Sequence, residues 1–300
     1  MTPTLYHGIV VISPQKEFVM PEETLKDVRI SHSMADTYNA CQRRYYFAHV
    51  YGNGIGLMPN VLPHALHRGI YGHKVMQAFF QTIKGREKDS FAFKEAKAAA
   101  LMEMIQDPEM NHEVGPTILY WFDEVWPTLD WKILQVEQKH YLKLGNGVVF
   151  PYTIDLVILE NGQTIIVDHK FAADAYESDM LDLYPQLPKY IGGLRTEGMS
   201  IDFGKYNFIR TRSMKDMEKK IVITAVKPSK QRIVEAFKDQ GKAMTKIMNH
   251  TGEYDRNIGY TCKYCPFKDI CRIEVRGDDP TNLINSNFKP NEYGYLEDEV

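Results

Sequence analysis

Hydrophobic and polar positions organise this chain around one stretch, Ile154 to Lys170. It reads Ile-Asp-Leu-Val-Ile-Leu over 154–159, Glu-Asn-Gly over 160–162, then Gln-Thr-Ile-Ile-Val-Asp-His-Lys over 163–170. Two β-branched runs flanking Asn161-Gly162 predict a β-hairpin with a two-residue turn. Side chains alternate along a strand, so Asp168 and Lys170 share one face and His169 takes the other. The same hairpin can carry Asp155 up beside Asp168. Further extended runs are predicted over 131–144, 205–210 and 220–226. Helical spacing covers 33–47, with Ser33 as cap, then 65–83, 91–104, 118–126 and 231–249, the last capped by Ser229. Another helix starts at Tyr184-Pro185-Gln186-Leu187-Pro188, its prolines in the first turn, where a missing N–H costs little. Residues 52–63 form a Gly/Pro-rich loop. A weak strand signal at Ile9–Ile12 lies in an N-terminal arm, residues 1–30.

Composition narrows the class. Hydrophobic residues are 44%, enough for a sizeable core. No apolar run reaches the length of a membrane span. The first residues, Met1-Thr2-Pro3-Thr4, lack the basic flank and apolar core of a signal peptide, so the expected compartment is cytoplasmic. Net charge is −3. Much of that acidity sits in residues 276–300, expected to be a disordered or partner-binding acidic tail. The remaining body is near neutral, which neither requires nor excludes a basic groove for nucleic acid.

The candidate chemistry begins with Asp155, Asp168 and Lys170. Two carboxylates suit Mg²⁺ or Mn²⁺, which prefer oxygen ligands and retain water. A lysine beside them can orient or deprotonate an attacking water, or stabilise a pentavalent phosphorus. The plain alternative is a surface hairpin with an ion pair. Gln186 and Tyr190 are four apart and lie on one helix face. Glu137, on the preceding strand, reads first as a solvent-facing residue and second as a further metal ligand. Arg43 and Arg44, beside Tyr45, read as core packing or as a nucleic-acid contact. Arg210, Arg212, Lys215, Lys219 and Lys220 read as a solvated basic face or a phosphate track.

The order Asp155, Asp168-x-Lys170, Gln186-x-x-x-Tyr190 resembles the PD-(D/E)XK nuclease superfamily, in its RecB-like exonuclease branch. The resemblance spans residues 31–275. It implies an α/β fold with a restriction-endonuclease-like mixed sheet flanked by helices. Within it, 31–130 would be mainly helical, 131–227 the catalytic core, and 228–275 a C-terminal helix and cysteine segment. It also implies that Asp155 and Asp168 bind Mg²⁺ or Mn²⁺, that the His169 backbone carbonyl completes the shell, and that Gln186 and Tyr190 position the strand or Lys170. Gly69-x-x-x-His73 precedes the core as in that branch. A lone helical histidine is ordinarily structural; the resemblance makes His73 a metal ligand.

Four cysteines remain: Cys41, Cys262, Cys265 and Cys271. A cytoplasmic chain would not use them as disulfides. Their clustering reads as a metal site, although zinc sites usually bring two close pairs. One distant cysteine plus a compact C-terminal trio is similar to the iron–sulfur nucleases of the same branch, which include the CRISPR-adaptation exonuclease. That similarity implies a 4Fe–4S cluster fastening an N/C-terminal helical cap. The expected activity is a metal-dependent DNA exonuclease acting on single strands or ends, in recombination, repair or phage/CRISPR processing. A helicase, recombinase or single-strand-binding protein would be its partner. The rival is a non-catalytic DNA-binding scaffold that keeps the fold.

Overall fold

The computed structural model describes residues 28–145 and 147–291. Strand β1 (Val28–Arg29) leads into α1 (His32–Ala40), capped by the Ser31 hydroxyl, which accepts from the Met34 N–H. Then come α2 (Gln42–Tyr45), a π-helical turn over Tyr46–Val50, β2 (Leu57–Pro59), α3 (His64–Ile83), α4 (Ser90–Met104) and α5 (Pro108–Tyr120). The sheet strands follow: β3 (Lys132–Gly145), β4 (Val148–Glu160) and β5 (Gln163–Ala172). Next are α6 (Gln186–Thr196), β6 (Phe203–Arg210), β7 (Ile221–Val226) and α7 (Lys230–Met248). The chain closes with α8 (Lys268–Val275), α9 (Thr281–Asn287) and β8 (Phe288–Pro290).

Six strands make one mixed sheet. β3, β4 and β5 pair antiparallel, β5 and β6 parallel, and β6 and β7 antiparallel. The β4–β5 turn has Asn161 at φ 50° and Gly162 at φ 77°, the paired left-handed residues a tight hairpin needs. The β4–β5 ladder runs only from Glu160↔Gln163 to Leu156↔Val167. Beyond it β5 stays with β6, while the start of β4 takes β1 at Val148 and Val149. The two central strands therefore fork at Asp155 and Asp168.

Helices cover both faces. α3, α4 and α5 pack one core onto the sheet, with Phe79, Phe80, Trp121, Phe122 and Trp126 against Ile133, Ile158, Ile165 and Val167. Each such side chain, fully buried, contributes about 1.5–3 kcal/mol of burial. α1, α6 and α7 pack the other face, where Leu187, Ile191, Leu194 and Met244 meet Phe150, Ile166, Tyr206 and Phe208. A third, smaller core joins Phe47 and Leu57 to Phe267, Ile270 and Ile284, with Cys265 and Cys271 against it.

Several expectations change, beginning with the cap of α1, which is Ser31 rather than Ser33. The helix over 33–47 is broken: Cys41 is extended (φ −164°, ψ 112°), and its N–H closes α1 on the Thr37 carbonyl. The helix expected over 118–126 starts ten residues earlier, at Pro108, because the Asp107 side chain caps it by accepting from the Met110 N–H. Residues 281–290, placed in the acidic tail by composition, form α9 and β8; β8 pairs antiparallel with β2, and Phe288 stacks on Phe267. Burial of Ile284 and Phe267 outweighs the polar composition there. β1 adds a strand just inside the expected N-terminal arm. The strand signal at Ile9–Ile12 and residues 292–300 of the tail lie outside the described residues.

Candidate active site

The fork exposes what the ladder would otherwise cover. With β4 gone, the His169 N–H donates to Asp155 Oδ2 at 2.7 Å. Glu137 on β3 lies between the pairs Val136↔Leu156 and Gln138↔Ile154, directly across from Asp155. Glu137, Asp155 and Asp168 thus form a row of carboxylates across three strands. α3 reaches this row from one layer: His73 Nδ1 is 3.5 Å from both Glu137 Oε1 and Asp155 Oδ2. His73, Glu137 and Asp155 bring their ligand atoms within 4.8 Å of one another. α6 reaches the row from the other layer. Lys170 Nζ lies 2.6 Å from Asp168 Oδ2 and donates to Gln186 Oε1 at 2.9 Å; Gln186 Nε2 in turn donates to the Tyr190 hydroxyl at 3.1 Å.

Two backbone features hold the row. Glu137 has φ 45°, a left-handed conformation rare for such a residue inside a strand and a form of strain that gathers at functional sites. Gly72, one residue before His73, lets α3 lie on Phe171 of β5. A Cβ there would meet three ring carbons of Phe171 at 2.5 Å. His169 points into the opposite core, stacked on Phe80 at 5.5 Å. Asn207 Nδ2 donates to its Nδ1 at 2.8 Å, and Trp121 Nε1 donates to Asn207 Oδ1 at 3.2 Å. Its side chain therefore positions the strand from behind.

The electrostatics follow from burial. Burial raises Asp155 and Asp168 above the usual carboxylate range and, with the charge of Asp155, takes Asp168 to about 6 despite Lys170. Burial would lower His73, but Asp155, Glu137 and Asp168 override it and lift it to about 9. Lys170 is also buried, yet Asp168 and Asp155 hold its ammonium protonated more firmly than usual. Asp168 Oδ2 is buried against the Lys170 ammonium at 2.6 Å, with no further partner among the described residues. A dense group of buried acids is the arrangement a divalent cation relieves.

Of the predicted residues, the fold brings Asp155, Asp168, Lys170, Gln186, Tyr190 and His73 together. Glu137, read first as facing solvent, is part of the carboxylate row instead. The one sequence signal for it was an acid on the strand before Asp155. Arg43, a candidate DNA contact, is committed elsewhere: it ion-pairs with Glu274 and lies 4.9 Å over both Tyr46 and Phe47. Arg210 and Arg212 both pair with Asp174, at 2.6 and 3.3 Å, which draws their charge away from a phosphate track. Lys215 is exposed, and Arg44 stands near Cys265. The four cysteines are unpaired and half-buried. They gather around residues 255–257. The Asn257 N–H points at Cys41 Sγ at 3.5 Å, and Cys262 Sγ lies 3.8 Å from the Asn257 carbonyl.

The site is thus a central mixed sheet forked at two aspartates, with a lysine two residues past the second. The model of the PD-(D/E)XK nuclease superfamily matches residues 29–272, and the chain belongs to that superfamily. It is a nuclease by family, and the nuclease fold implies DNA binding. Among solved structures, it is similar to a "putative exonuclease" of Eubacterium rectale, with 15% identity, 80% of this chain and 88% of that one covered, and a TM-score of 0.47. It is also similar to a protein designated SSO0001, with 15% identity, 83% and 88% coverage, and a TM-score of 0.36. No curated protein sequence matches the chain. No helix among the described residues is long and apolar enough to cross a membrane.

Proposed function

We propose that this chain is a deoxyribonuclease that hydrolyses phosphodiester bonds at DNA ends or in single strands, in recombination, repair or phage/CRISPR DNA processing. The observation that carries it is the carboxylate row with Lys170 beside it. Glu137, Asp155, Asp168 and His73, with the His169 carbonyl, would hold Mg²⁺ or Mn²⁺. When bound, the ion supplies a more acidic water and neutralises charge building on the phosphate. The chain's own residues do the rest. Lys170, kept protonated, holds the attacking water or a phosphate oxygen as a fixed cation rather than taking a proton. Gln186 fixes the Lys170 ammonium, and Tyr190 fixes Gln186. Phe80 and Asn207 hold the His169 segment so that its N–H keeps Asp155 in place.

The test is cleavage of end-labelled single- and double-stranded DNA with Mg²⁺, Mn²⁺ or neither. Asp168→Ala and Lys170→Ala should each remove metal-dependent cleavage while DNA binding survives. Wild-type digestion by either variant would overturn the assignment. Which labelled end is lost first gives polarity.

The cysteines support a second, structural group, a 4Fe–4S cluster. All four thiols are half-buried and gather around residues 255–257, where one cluster would join them. Its residues would be Cys41, Cys262, Cys265 and Cys271. Anaerobically purified protein should be brown and contain iron and sulfide. Stoichiometric zinc instead would overturn the cluster.

A further inference from the structure

A cavity of about 400 Å³ opens between α1, α6 and α7. Lys189, Arg232 and Lys246 line it, with Asp36 and Gln240. Lys189 is 3% exposed, yet its ammonium donates only to neutral acceptors: His32 Nδ1 at 2.8 Å and Gln240 Oε1 at 2.8 Å. Burial, with the charge of Lys189, depresses His32 to about 3, so its ring is uncharged at neutral pH. Arg232 gives its Nε and Nη2 hydrogens to the Asp182 and Leu183 carbonyls, at 2.8 and 2.6 Å. Lys246 forms no ion pair with a described residue. Asp239, also in the lining, is taken by Lys242 at 3.2 Å. Asp36 bonds His32 Nε2 at 3.3 Å and offsets at most one of the three cations.

A buried cation with no direct ion pair costs stability, and desolvation, with Arg232 nearby, lowers Lys189 to about 8 against the pull of Asp36 and Asp239. The arrangement makes sense when an anion enters. The cavity is lined in part by α6, the helix that also carries Gln186 and Tyr190. Lys189 precedes Tyr190 on α6, and the charge of Lys170 reaches His32. We propose that Lys189, Arg232 and Lys246 form a phosphate site for a non-scissile phosphate of the nucleic-acid strand. This rests on the nuclease reading for the identity of the strand, but not on hydrolysis.

The experiment measures binding in EDTA, where nothing is cut. A fluorescent single-stranded oligodeoxynucleotide is titrated into the full-length wild type, Arg232→Gln, Lys246→Gln and the double variant, across a salt series. The double variant should bind about tenfold more weakly. Its slope of log affinity against log salt should fall by about 0.7, one single-strand phosphate contact. Lys246→Gln alone changes only a surface side chain and should show part of the effect with an unchanged Tm. Unchanged affinity and slope in the double variant would overturn the proposal. A separate arm follows Tm with inorganic phosphate at constant ionic strength. A phosphate-dependent rise that the oligonucleotide does not compete away would assign the cavity to a small free anion and overturn the strand assignment. Weakened binding in variants of a protein that cuts nothing would leave this site standing and remove only the catalytic reading.

Discussion

Gly72→Ala tests whether catalysis depends on the seat of α3 against β5. The added methyl would come 2.5 Å from three carbons of the Phe171 ring, below any real Cβ contact. The ring cannot simply swing away. It is 7% exposed, His73 packs edge-on to it at 5.6 Å, and the Phe171 carbonyl accepts from Arg68 Nε at 3.2 Å. The helix and the strand end must part by roughly an ångström. Overpacking of this kind costs about 1–3 kcal/mol, and the better helix propensity of alanine returns about 1 kcal/mol. The net loss is about 0–2 kcal/mol, a fall in Tm of no more than a few degrees. The rate should suffer far more. His73 and Lys170 sit on the displaced segments, and an ångström at a reacting centre costs about 10²-fold. The control is Gly241→Ala, on α7, where a Cβ meets nothing within 4 Å. It should gain slightly in stability and cut DNA normally. Gly72→Ala/Phe171→Leu should recover part of the rate. The assay pairs Tm with initial rates on end-labelled DNA in Mn²⁺. Gly72→Ala turning over at the rate of Gly241→Ala would refute the packing argument.

Glu137→Gly should lose tenfold or more in Mn²⁺ affinity by calorimetry without losing stability, because glycine accepts the positive φ that glutamate holds under strain. An unchanged affinity would remove Glu137 from the metal row. Tyr190→Phe should slow turnover about tenfold while costing only about 1 kcal/mol for one hydrogen bond; equal losses in rate and stability would mean plain packing. Cys41→Ala should bleach the protein and lower Tm as Cys265→Ala does, whereas Asp168→Ala should keep the colour; an absorbing Cys41→Ala variant would exclude that ligand. Burial lowers His32 to about 3 and His49 to about 4, so the unfolded chain takes up protons first. The stability these two histidines contribute is fully present above about 6.5 and falls as pH drops from there toward 4. His49→Gln should flatten that fall in a denaturant series at pH 7, 6 and 5, and an unaltered slope would show that His49 contributes nothing to it.

Much of the fold was legible because local chemistry agreed with tertiary need. Asn161-Gly162 demanded a hairpin, and the hairpin fixed the faces of Asp168, His169 and Lys170. The four-residue spacing of Gln186 and Tyr190 likewise placed both on the face that meets Lys170. Glu137 was not legible. Its direction depends on a left-handed backbone and on a register shift between Ile133 and Gln135, neither of which side-chain alternation reveals. The partner of Arg43 was not legible either: sequence shows a basic residue beside aromatics without showing Glu274, more than two hundred residues later. Residues 281–290 misled through composition: a few acids nearby outweighed Ile284 and Phe288, whose packing depends on the small core around Phe47 and Phe267.

The break at Cys41 matters for how the protein is made. Its neighbours, Asp255 to Cys262, are synthesised about 220 residues later. At 5–20 residues per second, roughly 10–45 s pass before those neighbours are synthesised. During that interval the Cys41 thiol leaves the ribosome with α1 but without the segment that shields it. The catalytic sheet can assemble in the meantime, since β3 to β7 are all upstream of residue 255. Oxidising stress during translation would therefore meet the Cys41 thiol unshielded, and freshly made chains would be more vulnerable than old ones.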